Sequence, residues 1–322
     1  MLQVEDLTVA HGRESGSTVL TGPVSFTIGD GEIFGLVGES GSGKSMTALA
    51  LMRLTPMGSR VSGRAEIDGT DLVNAPERQM RSLRGRDLAM IFQEPMSALN
   101  PVFTLEAQLV AAIRAHRHVS RVDAKAEAIE LLQKVGIPDP ESRMQVYPHQ
   151  LSGGMCQRAM IAMALASGAR FLIADEPTTA LDVTIQEQIL QLVERLAAET
   201  GLSVLFISHD LGVIARLCRR VAVLYAGEVV ETGEARALLQ EPLHPYSMGL
   251  LRCVADLKDI GTVQRGIPGT PPMAGSWPTG CRFRARCEFA QERCRAPQEL
   301  RDFGGGRAVR CCRAEELRET LQ

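Results

Sequence analysis

Residues Gly38–Ser45 read GESGSGKS, a G-x-x-x-x-G-K-S run placed directly after the apolar stretch IFGLV and before a helical pattern from Lys44 to Leu54. No other feature of the chain narrows its fold as much. Glycines let successive backbone N–H groups curl around a polyphosphate without Cβ clashes. A helix that begins near Gly43 aims its positive end at the same anion. Gly38, Ser40, Gly41, Ser42, Gly43, Lys44, Ser45 and Met46 are therefore candidates for a nucleotide cradle. Lys44 would reach the β- and γ-oxygens, and the Ser45 hydroxyl would ligate Mg²⁺. The flanking strand and helix are the context that separates such a loop from an accidental glycine-rich turn.

The surrounding pattern extends that unit into an α/β domain with a largely parallel sheet. Residues 2–9, 24–37, 88–92, 171–175, 203–208 and 221–227 read as strands, and residues 105–135, a segment from about Gly153, 183–199 and 245–257 read as helices. Pro138, Pro140 and Pro148 mark loops. The composition changes after residue 235, where GIPGTPPMAGSWPTG introduces a cysteine-dense tail, so a boundary falls between 235 and 260. A length of 322 residues suits about two domains.

Composition removes several function classes. Net charge is −3 and aromatic residues make up 4% of the chain, which argues against nucleic acid as a partner. No apolar run approaches the ~20 residues that span a bilayer, and MLQVEDLTVA lacks the basic start and apolar stretch of a secretion signal. A cytoplasmic location is the expectation.

Asp175-Glu176 follows the apolar strand FLIA. A carboxylate at such a strand end can hold Mg²⁺, and its neighbour can polarise an attacking water. The same pair could simply cap a helix ahead of Pro177. Four further segments favour the chemical reading. Leu151-Ser152-Gly153-Gly154-Met155, continued by Gln157-Arg158, resembles the signature of ATP-binding cassette (ABC) ATPases. Gln93 resembles the Q-loop glutamine, Ala180-Leu181-Asp182 the D-loop, and Ser208-His209-Asp210 the switch histidine motif; with the phosphate loop they follow the family's order across residues 38–210.

What this resemblance implies is specific. The fold would be a P-loop ABC nucleotide-binding domain, a RecA-like α/β core with antiparallel β and helical subdomains. It would occupy residues 1–240 with the helical subdomain at about 95–165, followed by a linker helix at 241–266 and a tail at 267–322. Glu176, His209 and Gln93 would be catalytic, with Ser45, Gln93 and Asp175 around Mg²⁺. ATP would lie between the phosphate loop of one subunit and Ser152, Gly153, Gly154 and Asp182 of another, in a head-to-tail dimer that closes on nucleotide and reopens on hydrolysis. The family usually stacks an aromatic ring on adenine; here the position falls on His11, a smaller π face. Cys156 reads as a small packed residue.

IFQEPMSALNPV, YPHQLSGGM, IADEPTTALDVTIQ, LHPYSMGLL, IPGTPP and GCRFRARC resemble the ATPase subunits of bacterial oligopeptide and dipeptide importers. The resemblance implies a second cassette ATPase forming a heterodimer, two transmembrane permease subunits, an extracytoplasmic solute-binding protein, and residence at the cytoplasmic face of the membrane. Pro95 to Val102 would face the permease subunits. The alternatives are import of another solute (a nickel chelate, glutathione or an opine) and a soluble cassette ATPase outside transport.

The tail carries Cys281, Cys287, Cys294, Cys311 and Cys312. In a reducing compartment such a cluster suggests a metal before disulfides. Four thiolates suit either a structural Zn²⁺ or a [4Fe–4S] cluster. The absence of tight C-x2–4-C pairs, together with the resemblance to importer ATPases, points to the cluster on Cys281, Cys287, Cys294 and Cys311, with Cys312 as the alternative fourth ligand and Zn²⁺ as the alternative metal.

Overall fold

The computed structural model describes residues 1–12, 16–179, 181–256 and 266–321. Its strands are β1 (Leu2–His11), β2 (Thr18–Ile28), β3 (Ile33–Val37), β4 (Ser59–Ile67), β5 (Thr70–Asp71), β6 (Leu88–Ile91), β7 (Phe171–Asp175), β8 (Ser203–Ser208), β9 (Arg220–Tyr225), β10 (Glu228–Glu234), β11 (Arg301–Asp302) and β12 (Ala308–Val309). The helices are α1 (Lys44–Leu51), α2 (Glu77–Leu83), α3 (Pro95–Ala98), α4 (Leu105–His116), α5 (Arg121–Lys134), α6 (Pro140–Arg143), α7 (Gly153–Leu165), α8 (Val183–Thr200), α9 (Leu211–Leu217), α10 (Ala235–Gln240), α11 (Pro245–Asp256) and α12 (Ala314–Leu321). The chain separates into two units, one of Met1–Ile28, Ile33–Asn74 and Phe206–Gln322, the other of Gly29–Glu32 and Ala75–Leu205.

The first unit holds an antiparallel sheet in the order β2-β1-β4-β5. Along β1 the buried residues are Leu2, Val4, Leu7 and Val9, a spacing that breaks strict alternation once. Both neighbouring strands slip register at that break, and Asp6 adopts φ 49° within it. A bulge of this kind inserts one residue and returns the following side chains to the same face. The unit's second sheet segment runs β11-β12-β10-β9-β3. β3 and β9 are parallel, and their valines, leucines and alanine are fully buried, as a sheet covered on both faces requires. β9 and β10 form a hairpin whose two turn residues, Ala226 and Gly227, both have positive φ (45° and 84°), the combination that matches strand twist in a two-residue turn. β12 then pairs with β10 through Glu231–Val309 and Thr232–Ala308, so the tail extends the sheet instead of trailing from it.

The second unit contains the parallel pair β6–β7, the opening residues of β8, and most of the helices. The segment at 105–135 is two helices where the periodicity suggested one. Ser120 ends the run: its hydroxyl accepts the Asp123 N–H and starts α5 afresh after the extended residue Arg117. The sequence pattern also missed β4 and α2. β4 is mostly exposed, with only Ala65 and Ile67 buried, and so lacks a clear apolar alternation. The linker helix placed at 241–266 is α11 as far as Asp256; residues 257–265 lie outside the described residues.

Two buried polar groups fasten the tail in the first unit. Glu231 is fully buried and accepts hydrogen bonds from the Leu243 and His244 N–H groups, each 2.9 Å, and from Arg307 at 2.8 Å. His244 is buried as well, and its Nδ1 accepts the Tyr246 N–H at 3.0 Å. Burial, reinforced by Arg310, pushes the His244 imidazole down to about 3 from 6.5. The unfolded chain therefore binds a proton in this window that the native state refuses, and stability rises with pH there. The contribution is complete above about pH 6.5 and drains away as pH falls toward 3. Thermal melts from pH 7 to 5 should show a steeper loss of Tm in the native chain than in His244→Asn, which keeps an acceptor but cannot titrate. Parallel curves would mean that His244 is not the acid-sensitive group.

Candidate functional site

The loop between β3 and α1 is held open by backbone geometry. Gly38 passes so close to β9 that a Cβ would lie 2.1 Å from the Leu224 carbonyl oxygen, which excludes any other residue. Gly41 has φ 78° and Gly43 has φ 104°; Gly43 precedes α1 without any side-chain cap. Uncapped N–H groups at the start of α1 are left for an anion. The Lys44 ammonium donates to the Gly38 and Glu39 carbonyls at 2.8 and 3.1 Å, curled within the loop. The Ser42 hydroxyl is buried and has no hydrogen-bond partner among the described residues. An unsatisfied buried hydroxyl is costly unless something else meets it, and a phosphate oxygen would. Ser40 lies in the turn of the loop, and Ser45 and Met46 in the first turn of α1.

One loop residue, Glu39, carries contacts that the sequence motif does not announce. The Glu39 N–H donates to the Tyr246 hydroxyl at 2.8 Å. Its carboxylate receives two hydrogen bonds from Arg286, at 2.6 and 3.0 Å. Tyr246, Tyr225 and Phe283 pack as an aromatic cluster, with ring centroids 4.5 to 5.4 Å apart. Glu39 was simply one of the variable positions of the motif, and no spacing rule links it to Arg286, 247 residues later.

In the second unit, Asp175 is buried at the end of β7 and is followed by Glu176, which holds a left-handed φ of 46°. A non-glycine residue in that region is strained and persists only where its surroundings fix it. Here they do: the Glu176 carboxylate accepts from the Gln93 amide at 3.2 Å and from the Thr179 hydroxyl at 2.9 Å. Gln93 and Glu176, far apart in sequence, are thus in contact, and Thr179 is a third member that sequence reading did not single out.

Ser152 caps α7 by accepting the Met155 N–H at 3.3 Å. Gly153 and Gly154 open the helix, and a Cβ at Gly154 would strike the Ile185 side chain at 2.7 Å. Asp182 caps α8 through the Ile185 N–H at 2.9 Å. Ala180 lies outside the described residues. Cys156 is buried, its thiol pushed up by burial and set against Met96 and the Pro148 carbonyl, as a packing residue would be. His209, in the first unit, is exposed between β8 and the helix-capping Asp210. His11 is exposed at the end of β1, with Nδ1 3.2 Å from the Ser59 hydroxyl. Phe92, Met96, Val102 and Phe103 leave an exposed apolar surface beside Gln93 in sequence.

In the tail, Cys281, Cys287, Cys294 and Cys311 line one small hollow together with Phe283, Phe289 and His244. The Cys312 thiol approaches Cys294 at 3.8 Å instead. Burial and the neighbouring sulfurs push Cys281 up to about 12 and Cys311 up to about 11, and raise Cys287 as well. Four thiols so placed could ionise together only with a cationic group to offset them. Among the described residues, no group of three or more His, Cys, Asp or Glu side chains is arranged to hold a metal ion.

Comparison with known proteins gives this geometry its context. Residues 21–179 match the ABC transporter family, and residues 230–294 match the oligopeptide/dipeptide transporter C-terminal region. The oligopeptide transport ATP-binding protein OppD of Salmonella typhimurium is 44% identical over 318 residues, 98% of this chain and 95% of that protein. The dipeptide transport ATP-binding protein DppD of Escherichia coli is 44% identical over 313 residues, 97% of this chain and 96% of that protein. Among solved structures, the ATP-binding cassette MJ0796, a dimer in a post-hydrolysis state with ADP and Pi, superposes with a TM-score of 0.65 at 27% identity, covering 73% of this chain and 99% of that one. The chain belongs to the ABC transporter family, among the ATP-binding proteins that carry the oligopeptide/dipeptide transporter C-terminal region.

Proposed function

We propose that this chain is the ATP-hydrolysing subunit of an importer that moves di- and oligopeptides across the cytoplasmic membrane. One observation carries the reading: a cassette and the oligopeptide/dipeptide C-terminal region occur in one chain that aligns over nearly its whole length with peptide-transport ATP-binding proteins. No helix among the described residues is long and apolar enough to cross a membrane. The pore is therefore assigned to two separate permease subunits, with an extracytoplasmic binding protein delivering the solute and this chain lying at the cytoplasmic face. The exposed apolar residues Met96, Val102 and Phe103 are assigned to contact with the permease. A second cassette ATPase completes the pair, in the head-to-tail arrangement that supplies Ser152, Gly153, Gly154 and Asp182 to the partner's nucleotide.

The chemistry assigned to each residue follows from its surroundings. The loop's N–H groups, the Ser42 hydroxyl and Lys44 bind the polyphosphate, and His11 faces the base. Ser45, Gln93 and Asp175 offer the hard oxygen ligands that Mg²⁺ takes, and the ion supplies charge neutralisation when bound. Glu176, oriented by Gln93 and Thr179, accepts a proton from the attacking water. His209 steadies the γ-phosphate. Little covalent work is asked of the protein, because phosphoryl transfer depends mainly on positioning and charge.

The four cysteines that share one hollow, Cys281, Cys287, Cys294 and Cys311, are assigned to a [4Fe–4S] cluster, with Zn²⁺ as the alternative metal, on their shared position and the resemblance alone, because the side chains as they stand are not arranged around a metal. Arg284 and Arg313 border the same hollow, and positive charge there offsets thiolates and sulfides. The metal's part is structural: a short tail poor in core residues gains stability from a staple.

Lys44→Ala should abolish measurable ATP binding in a filter or calorimetric assay; unchanged affinity would remove the phosphate loop from the site. Glu176→Gln should keep ATP binding while turnover falls at least about a hundredfold, and undiminished turnover would take the base role from Glu176. Metal analysis of single Cys→Ser variants should show loss of iron for Cys281, Cys287, Cys294 and Cys311, and retention for Cys312→Ser. Zinc in place of iron, or loss confined to Cys312→Ser, would overturn the assignment. Reconstituted with permease subunits, the chain should hydrolyse ATP faster when the binding protein carries a peptide. Stimulation by a nickel chelate or an opine, and not by peptides, would redirect the substrate.

A further inference from the structure

The phosphate loop is gripped from the tail at two points. At the first, Arg286 uses all five of its N–H groups. Two go to the Glu39 carboxylate, and the others reach the Pro268 carbonyl at 2.9 Å, the Ile267 carbonyl at 3.0 Å and the Tyr225 hydroxyl at 3.4 Å. The Arg286 side chain is only 5% exposed. The Tyr246 hydroxyl holds the Glu39 N–H beside it. At the second, the Gly227 N–H donates to the Ser42 carbonyl at 2.8 Å. Gly227 is backed by Trp277, whose ring leaves 2.6 Å for a Cβ, and Arg282 stacks on that ring at 3.8 Å while donating to the Ala226 carbonyl at 2.5 Å. Trp277, Arg282 and Arg286 all come from the tail, and Tyr246 from α11.

We propose that Arg286 is a positioning residue for ATP binding: it neutralises and orients Glu39, and with Tyr246 fixes the phosphate loop in its anion-accepting shape. The argument rests on the phosphate-loop reading given above. A carboxylate within a polyphosphate cradle repels its ligand unless a fixed cation answers it. A bidentate guanidinium both answers the charge and sets the direction of the carboxylate. A loop ordered in advance also spares the ordering entropy at the moment of binding. The tail's integrity thereby becomes a condition for nucleotide affinity, although the tail contributes no ligand to the nucleotide.

ATP affinity and turnover of the full chain test this. Arg286→Ala should bind ATP about tenfold more weakly, with kcat nearly unchanged. Adding Glu39→Gln to Arg286→Ala should recover most of that loss, because the unanswered charge is gone; a merely structural arginine would not be rescued this way. Native affinity in Arg286→Ala, or a deficit that Glu39→Gln leaves intact, would overturn the proposal. Should Arg286→Ala fail to fold, Tyr246→Phe decides: it keeps the ring and removes only the acceptor of the Glu39 N–H. ATP binding about threefold weaker supports the proposal, and native affinity overturns it. Lys44→Ala, measured alongside, separates the two readings. If it binds ATP normally, the phosphate-loop assignment has failed; if it does not, the Arg286 result stands on its own.

Discussion

A loop that offers its backbone N–H groups to an anion cannot also use them to hold itself together. That constraint shapes the first unit. Gly38 must pass within contact of the β9 carbonyl at Leu224, Gly41 and Gly43 must take positive φ, and α1 must begin without a cap. Inside the loop the Lys44 ammonium and the Ser42 N–H reach loop carbonyls, and the remaining support comes from outside it. The structure supplies this from the sequence-distant end of the chain, through Tyr246, Arg286 and the hairpin turn at Ala226–Gly227. The tail is in turn anchored to β10 by strand pairing and by the buried Glu231. Sheet, aromatic cluster and phosphate loop therefore form one connected support.

The second unit solves a different problem with a related device. Glu176 must present a carboxylate at a strand end, and its left-handed φ turns the chain sharply to do so. Strain of this order, ~1–3 kcal/mol, is offset by the hydrogen bonds from Gln93 and Thr179. Ser152 and Asp182 show how a residue proposed to meet nucleotide can also serve its own helix. Each caps its own helix, so each would appear structurally satisfied even with no nucleotide role in view.

Local features of the site were legible in sequence because their physics is local. The phosphate loop, the strand before it and the helix after it are contiguous, and α1, β7 and β8 fall close to where the pattern puts them, whereas the strand read over 24–37 is divided by the turn at 29–32 into the end of β2 and β3. The two helices within 105–135 were not separable by periodicity, since the break at Ser120 is a single capping hydroxyl inside a continuous helical pattern. β4 was missed because it buries only two side chains. The Gln93–Glu176 contact was reachable only through family resemblance, and the Glu39–Arg286 pair not at all. Composition reveals a cysteine-rich tail, but no periodicity tells which charged residue among its arginines meets a carboxylate 247 positions earlier.

The central claim is that the phosphate loop owes its shape to the tail. Amide hydrogen exchange reports this without any nucleotide present, because it follows local opening residue by residue. Compared between the full native chain and Arg286→Ala, exchange should accelerate at the hydrogen-bonded amides of Glu39, Ser42 and Gly227, while the interior of α1 stays as protected as before. Identical protection across residues 38–43 in the two chains would show that the loop holds its own shape, and would contradict the account.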